Sequence, residues 1–464
     1  MDFEEVKNKL EDMTKNELIE LIMSIYQKQD ERISSYIDNR LNKDDYSTVA
    51  AFFKKRINNW IESNQFINYN SSFDFAEEIA DLREEITETL LPSAPDEAWR
   101  LADFVLRNDG SIIENVDDSG GAVGTELNQF CILWLEAAAG TKKADEYWIP
   151  LIMDIADGND YGCRELILNS ADILFTPDSL QKIYYIYKNR LLDWDCSNIE
   201  GYDHTAAGFE INMEQIAIAM HNPAAYEEAL RIRNPEPNNL QIKRLIQIYL
   251  QFSDFKKARE LLEETTWQIR FNSDRDELYK KLFELTGDTE QLRILQERKW
   301  KENPCLYYLK EYHSIAEPGT HKKILAEAVK TALNDPQPER AVPVLLYLNK
   351  IAEAEQRLIN DAADFETLGY TSILNILEQL GPDNALCGQV VLYRALLNDI
   401  LRRAYSKAYK YGIGYLRELI ILDERITQYP DNLESHADYF SRIKAEHGRK
   451  RSFWEKARKY GIDK

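Results

Sequence analysis

Apolar residues recur at helical spacing along almost the whole chain. Near the start, Leu18, Ile19, Leu21, Ile22, Ile25 and Tyr26 fall on one face of a helix. Thr14 with Glu17 reads as a capping box at its head, each side chain able to bond the other's free backbone N–H. The same start chemistry returns at Ser93 before Pro95, Thr176 before Pro177 and Asn222 before Pro223. In each case a capping oxygen precedes a proline, whose fixed φ suits a first helical turn. Alternating strand patterns with hairpin turns are absent. The pattern predicts an all-α chain of roughly eighteen to twenty helices, from the usual helix length.

A period runs through the middle. "SDFKKARELLEE" starts at Ser253 and "GDTEQLRILQER" at Gly287, an offset of 34 residues, the tetratricopeptide spacing. Ala258 falls on Leu292, and a small residue at that position lets two helices approach closely. "GTHKKILAEAV" from Gly319 and "NKIAEAEQRLI" from Asn349 follow at offsets of 32 and 30, so the repeat degenerates. The predicted fold is a tetratricopeptide-like α-solenoid of stacked antiparallel helix pairs, right-handed through Asn239 to Gln356, with an N-terminal helical cap. Polar or proline-rich breaks at "NYNSSFD" and "NPEPNN" suggest a cap over 1–70, a helical domain over 71–233, and repeats over 234–464. "CSNIEGYDHTAAG", from Cys196 to Gly208, reads as a long loop.

Charge narrows the function classes. Formal net charge is −23, which repels phosphate backbones and makes general nucleic-acid binding unfavourable. The early residues contain no continuous apolar stretch of signal-peptide type, and no apolar run approaches the ~18 residues of a membrane helix. Five scattered cysteines form no CxxC pair and no zinc pattern. These features together lead us to expect a cytoplasmic protein with free thiols. The six histidines form no HxxxH or HExxH pair, and no P-loop, nucleophile elbow or dinucleotide fingerprint is present. No catalytic residue and no cofactor is implied. Oligomeric state is open.

Two glycine-containing acidic stretches interrupt the helices. In "NVDDSGGAVGTE", counting from Asn115 puts Asp117, Ser119, Gly120 and Glu126 near the spacing of a calcium-binding loop. Asn in place of Asp at the first position and Ala122 at the eighth weaken that reading. The alternative is a plain helix–loop–helix connection, with Gly120 and Gly121 supplying positive φ and Ser119 or Thr125 capping the next helix. The chain around it reads as helices of about Asp96–Glu114, Thr125–Ala139 and Glu146–Ala156. In an up-down stack, alternate connections share an edge. Asp117 and Asp118 should therefore lie on the edge that carries Asp157, Asn159, Asp160 and Tyr161, able to attract a cation, an amine or a basic peptide.

The C-terminus opposes the general charge. From His447 to Lys464 seven cations, including Arg449, Lys450 and Arg451, face Glu455 and Asp463, with Phe453, Trp454 and Tyr460 interleaved. Three readings are open: bracing of the helical body by carboxylate pairs and apolar docking, contact with nucleic acid, and docking of a protein partner. We favour bracing, since the acidic body offers many carboxylates and a terminal helix needs large apolar residues to dock.

"APDEAWRLADFVLRNDGSIIENVDDSGGAVGTEL", with its DDS-x-G-x-VG loop, resembles an uncharacterised bacterial family of helical proteins, as do "ADGNDYGCRELI", "YSKAYKYGIGYLRELIILDERI" and "HADYFSRIKAEHGRKRSFWEKA". The tail also resembles the helical-repeat part of bacterial SWIM zinc-finger proteins. The zinc finger itself has no counterpart, so no zinc is carried over. The resemblance implies a helical-repeat architecture and no activity. The expected function is a non-enzymatic scaffold that binds a protein partner. The alternatives are an enzyme or metal-dependent protein using the loops around Asp117 and Asp160, or nucleic-acid association through the tail.

Overall fold

The computed structural model describes residues 5, 9–10, 13–26, 46–63, 65–194 and 203–462. Among them are 25 α-helices and no strand, only an isolated bridge between Ile67 and Val116. Cys196, most of the loop that follows it, and Asp463 and Lys464 lie outside the described residues. The chain forms two compact units, Met1–Asn272 and Ser273–Lys464. The sequence break at 233/234 falls inside the first of them.

In the first unit, α1 (Lys15–Tyr26) begins with the predicted capping box: Thr14 N donates to Glu17 Oε2 at 2.7 Å, and Glu17 N to Thr14 Oγ1 at 3.4 Å. The apolar stripe of α1 is exposed at Ile19, Leu21 and Ile22. There follow α2 (Tyr46–Ile61), α3 (Tyr69–Thr89), α4 (Pro95–Leu106), α5 (Asp109–Ile113), α6 (Ala122–Gly140), α7 (Asp145–Asp157) and α8 (Leu166–Asn169). Next come α9 (Pro177–Leu192), α10 (His204–Ala219), α11 (Pro223–Arg233), α12 (Asn239–Gln251) and α13 (Phe255–Glu264).

Helix α6 is the centre of this unit. It is apolar nearly all round and buries Val123, Leu127, Phe130, Leu133, Trp134 and Leu135, so α3, α4 and α8 can all pack on it. Trp99 of α4, Trp134 of α6 and Trp148 of α7 meet edge to face, with ring centroids 5.2–6.1 Å apart. Such geometry sets the positive ring edge against the negative face and adds about 0.5–1.5 kcal/mol per pair beyond area burial. From α9 to α13 each helix packs on its neighbour in sequence, forming successive antiparallel pairs.

The second unit holds α14 (Asn272–Thr286), α15 (Thr289–Glu302), α16 (Leu306–Ile315), α17 (His321–Asn334), α18 (Pro338–Tyr347), α19 (Ile351–Asn360) and α20 (Ala362–Phe365). It ends with α21 (Tyr370–Leu380), α22 (Leu386–Arg402), α23 (Tyr409–Arg425), α24 (His436–His447) and α25 (Arg451–Lys459). Its core runs from Trp300 through the α22–α23 pair to Phe453.

The 34-residue period has a local physical basis. Ser253 and Gly287 both adopt left-handed φ, +63° and +69°. The next residues, Asp254 and Asp288, each donate N–H back to the preceding helix, to Tyr249 and Phe283, both at 2.9 Å. Each also caps the following helix, accepting from Lys257 N and Gln291 N. His221–Asn222 and Asn349–Lys350 repeat the left-handed turn and the backward bond. Gly319 does not; it sits in a 3₁₀ turn, Pro318–Thr320, so the third expected unit breaks the pattern. Ala258 is fully buried, as close helix approach requires.

Two local expectations need correction. The helix expected over Asp96–Glu114 breaks between α4 and α5. Asn108 Nδ2 donates to the Phe104 carbonyl at 2.8 Å, and Asp109 turns inward to meet Arg164. Helix α4 has Ala94, not Ser93, at its N-cap, with no side-chain cap. Thr176 and Asn222 do cap, accepting from Ser179 N and Ala225 N.

Candidate functional site

The two acidic loops do come together. Tyr161 Oη donates to Glu114 Oε1 at 2.5 Å, and its ring lies against Gly110. Asp118, Gly121 and Gly124 share the lining of one cavity of about 550 Å³ with Tyr161, Gly162, Cys163 and Glu165. Asp117 does not line it. Asp157, Asn159 and Asp160 line a neighbouring cavity of about 920 Å³, with Arg190, His204 and Asn212.

Most of the predicted polar groups are occupied by protein partners. Asp118 is the cap of α6: its two oxygens accept from Val123 N at 3.0 Å and Gly124 N at 2.8 Å. Neither Ser119 nor Thr125 caps that helix; Thr125 Oγ1 donates to the Gly121 carbonyl, and Ser119 donates to Asp117. Only Gly121 has positive φ, +71°. Gly120 sits close against two rings, since a Cβ there would come within 3.3 Å of Phe73 and 3.4 Å of Tyr69. Ile67 and Asp117 exchange backbone bonds with the loop and its neighbour, which pins the segment: Ile67 N donates to Asn115 O and Asp117 N to Ile67 O.

The residues at calcium-loop spacing point to separate partners. Asn115 Nδ2 donates to Ser111 O, Asp117 accepts from Ser119, and Glu126 pairs with Arg83 at 3.4 Å. Among the described residues no group of three or more His, Cys, Asp or Glu is placed to hold a metal ion. Titration with millimolar calcium is expected to give no calorimetric heat and no change in melting temperature. A saturable heat would reinstate the cation loop.

In the second loop Asp157 accepts from Tyr187 Oη at 3.1 Å, Arg190 Nη1 at 2.8 Å and Asn212 Nδ2 at 3.3 Å. Burial, and then Asp157, push the Tyr187 hydroxyl well above its ordinary range. Asn159 Oδ1 accepts from Arg164 N at 3.0 Å. Cys163 is pushed up to about 11, first by burial and then by Asp109 and Asp118, so it stays a thiol at neutral pH. Replacing Asp118 with alanine removes both cap bonds and should cost about 0.5–2 kcal/mol. Thermal melting measures this; an unchanged midpoint would mean that other groups cap α6.

A third cavity, about 400 Å³, lies between α10, α11 and α12 and was not anticipated. Glu210 and Glu214 face it with Arg233 and Arg244. Burial raises Glu214, opposed by a 2.7 Å bond from Tyr226 Oη and by Arg244. The folded protein therefore holds this proton more tightly than the unfolded chain. Its contribution to stability is full below the ordinary value of 4.5 and is lost as pH rises through the folded value. Glu214→Gln keeps an acceptor for Tyr226 and removes the charge. It should melt higher than the parent at neutral pH, with the gain vanishing in acid. A gain independent of pH would contradict this account.

In the second unit, α21, α22 and α23 enclose a mainly apolar groove of about 430 Å³. Tyr370, Leu374, Tyr405, Tyr411 and Tyr415 line it, together with Ile400 and Arg403. Tyr370, Tyr405 and Tyr411 are 67, 51 and 55% exposed. Burial, then the neighbouring Tyr411 and Tyr370, push the Tyr415 hydroxyl up. The sequence signal was the i, i+4 pair Tyr411 and Tyr415 within "YSKAYKYGIGY", on the same helix face.

Helix α25 docks beside this region. Phe453 is fully buried, its ring 5.4 Å from Tyr409, and Trp454 Nε1 donates to His447 O at 2.9 Å. The apolar half of the bracing expectation is thus visible in the packing. The ionic half is not: among the described residues Arg449 and Arg451 have no carboxylate partner, and the Lys450 ammonium lies 3.1 Å from His447 Nδ1.

A model of the family of unknown function DUF6880 matches residues 6–233 and 250–456. The chain belongs to the DUF6880 family. The match takes in both acidic loops, the groove and the first six of the nine residues of α25 of this DUF6880 protein. No curated protein and no solved structure matched. The match says nothing of the likeness of the tail to SWIM zinc-finger proteins. No helix among the described residues is long and apolar enough to cross a membrane.

Proposed function

We propose that this protein is a non-enzymatic helical-repeat scaffold, its antiparallel pairs stacked as a solenoid, and that it binds a protein partner. The observation that carries the reading is the tyrosine-lined groove between α21, α22 and α23. Large, rigid, half-exposed aromatic side chains around an apolar pit are the composition of interface hot spots, because they bury much area at small entropic cost. The acidic loops favour a structural role by comparison, since Asp118 and Asp157 are already committed to backbone amides, Tyr187, Arg190 and Asn212.

The test begins with affinity capture from an extract of the source organism, with identification by mass spectrometry. The captured protein is then purified and titrated against wild type and a Tyr405→Ser/Tyr411→Ser variant. Both positions are exposed, so the fold should survive. Removal of two such anchors should weaken binding by about tenfold or more. Equal affinity for both forms would remove the groove as the docking site.

A further inference from the structure

The charge around the groove specifies its occupant. From Arg402 to Arg417 the chain carries five cations and no carboxylate, within a molecule of net charge −23. Arg403 lines the groove itself. Lys407 lies between two lining residues, Tyr405 and Ala408, and the Lys410 ammonium sits 4.7 Å from the centre of the Tyr411 ring. Among the described residues one carboxylate pairs with these cations: Asp399, itself part of the groove lining, lies 3.3 Å from Arg402 and 3.2 Å from Arg403, so the unanswered charge is that of Lys407 and Lys410. Lys407 and Lys410 are exposed and have no carboxylate partner among the described residues.

The tail adds to the same end. Phe453 fixes α25 against Tyr409 and Gly412 in the first turn of α23. From Arg449 to Tyr460 there are six cations against Glu455 alone. An acidic chain that leaves so many cations unpaired at one end of a helix has not used its own carboxylates to satisfy them.

We propose that the groove receives an acidic peptide segment of a partner protein: a large apolar side chain seated among Tyr370, Leu374, Tyr411 and Tyr415, flanked by aspartate or glutamate that meets Arg403, Lys407 and Lys410. This rests on the groove being the docking site and adds the chemistry of what docks. A mainly apolar groove of about 430 Å³ suits a leucine or aromatic anchor. The hydroxyls of the lining tyrosines can donate to the segment's carbonyls or carboxylates. Rim charges of this kind chiefly set association rate and salt dependence, while the anchor sets lifetime. The strongly negative remainder of the chain disfavours a long polyanion, which must run past the groove.

The experiment is selection of random peptides displayed on phage against the immobilised full-length protein. The selected peptides are then synthesised with a fluorophore and their affinity is measured by anisotropy. Enriched peptides should carry net negative charge around an apolar anchor, and their affinity should fall as salt is raised. Arg403→Glu/Lys407→Glu/Lys410→Glu should weaken them by about tenfold or more. The neutral variant Lys407→Gln/Lys410→Gln should weaken them less, and Tyr411→Ser/Leu374→Ser should abolish the interaction. Circular dichroism of each variant checks the fold.

Peptides without acidic bias, or indifferent to charge reversal yet lost in the tyrosine–leucine variant, would overturn the acidic assignment and leave the groove as a docking site. Selected peptides that bind the tyrosine–leucine variant as well as wild type would overturn both. Fluorescent oligothymidylate that binds tightly and is lost in the charge-reversal variant would assign the face to nucleic acid instead. A concentration-dependent dimer in sedimentation, lost in that variant, would assign it to a second copy of the chain.

Discussion

Arg164→Ala is expected to cost about 3–5 kcal/mol of stability, the usual loss when one partner of a buried ion pair is removed. The Arg164 and Asp109 side chains are only 9 and 3% exposed. Arg164 Nε and Nη2 donate to the two Asp109 oxygens at 2.8 and 2.6 Å, and Nη1 donates to the Ile155 carbonyl at 3.1 Å. Truncation strands a buried carboxylate and orphans a carbonyl. Arg164→Lys should lose nearly as much, because an ammonium cannot reproduce the fork. The double change Asp109→Leu/Arg164→Met should recover most of the loss, since apolar replacement of a whole buried pair is often neutral or better. Urea denaturation followed by circular dichroism, with amide exchange in α6 as a local probe, reads all three. If Arg164→Ala lies within about 0.5 kcal/mol of the parent, as surface changes do, the pair is not a structural anchor.

Phe453→Ala should release α25. The side chain is completely buried against Tyr409 and Gly412, and phenylalanine truncation in a core costs about 3–5 kcal/mol. A nine-residue helix cannot hold itself in water, so the loss of its anchor should appear as local melting rather than as a small global shift. Arg451 stands at the first position of this helix, where the dipole disfavours a cation, which leaves packing as the main hold. Limited proteolysis should cut after Arg449 or Lys450 in the variant well before the parent. Equal cleavage rates would mean that the tail is held by contacts other than Phe453. Acidic peptides selected on the wild type should bind this variant more weakly if the α25 cations contribute to the face.

What could be read from the sequence was local, and the reason is plain in particular residues. The Thr14–Glu17 box, the caps at Thr176 and Asn222, and the 34-residue period of Ser253 and Gly287 depend on bonds between near neighbours. The all-α class followed from spacing alone. The break at Asn108 was hidden because one of its two holds, the Asp109–Arg164 pair, joins residues 55 apart. The cap of α6 was missed because Asp118 reaches five and six residues ahead, past the usual capping window. Sequence placed the two acidic loops near each other but could not divide their residues between separate cavities, which depends on where α9 and α10 lie. The groove was invisible as a site because its wall is assembled from three helices, and only the Tyr411–Tyr415 pair left a trace.

The pairing of neighbours from α9 to α13 also bears on the order in which the chain folds. From α10 to α13 each hairpin closes a short loop, at small entropic cost, and should form early and rapidly. The Asp109–Arg164 bond spans 55 residues and requires α6 and α7 to be in place first. The edge that carries the two acidic loops should therefore be the late, slow step of the first unit. Destabilising it should speed unfolding while leaving the initial formation of the hairpins almost untouched.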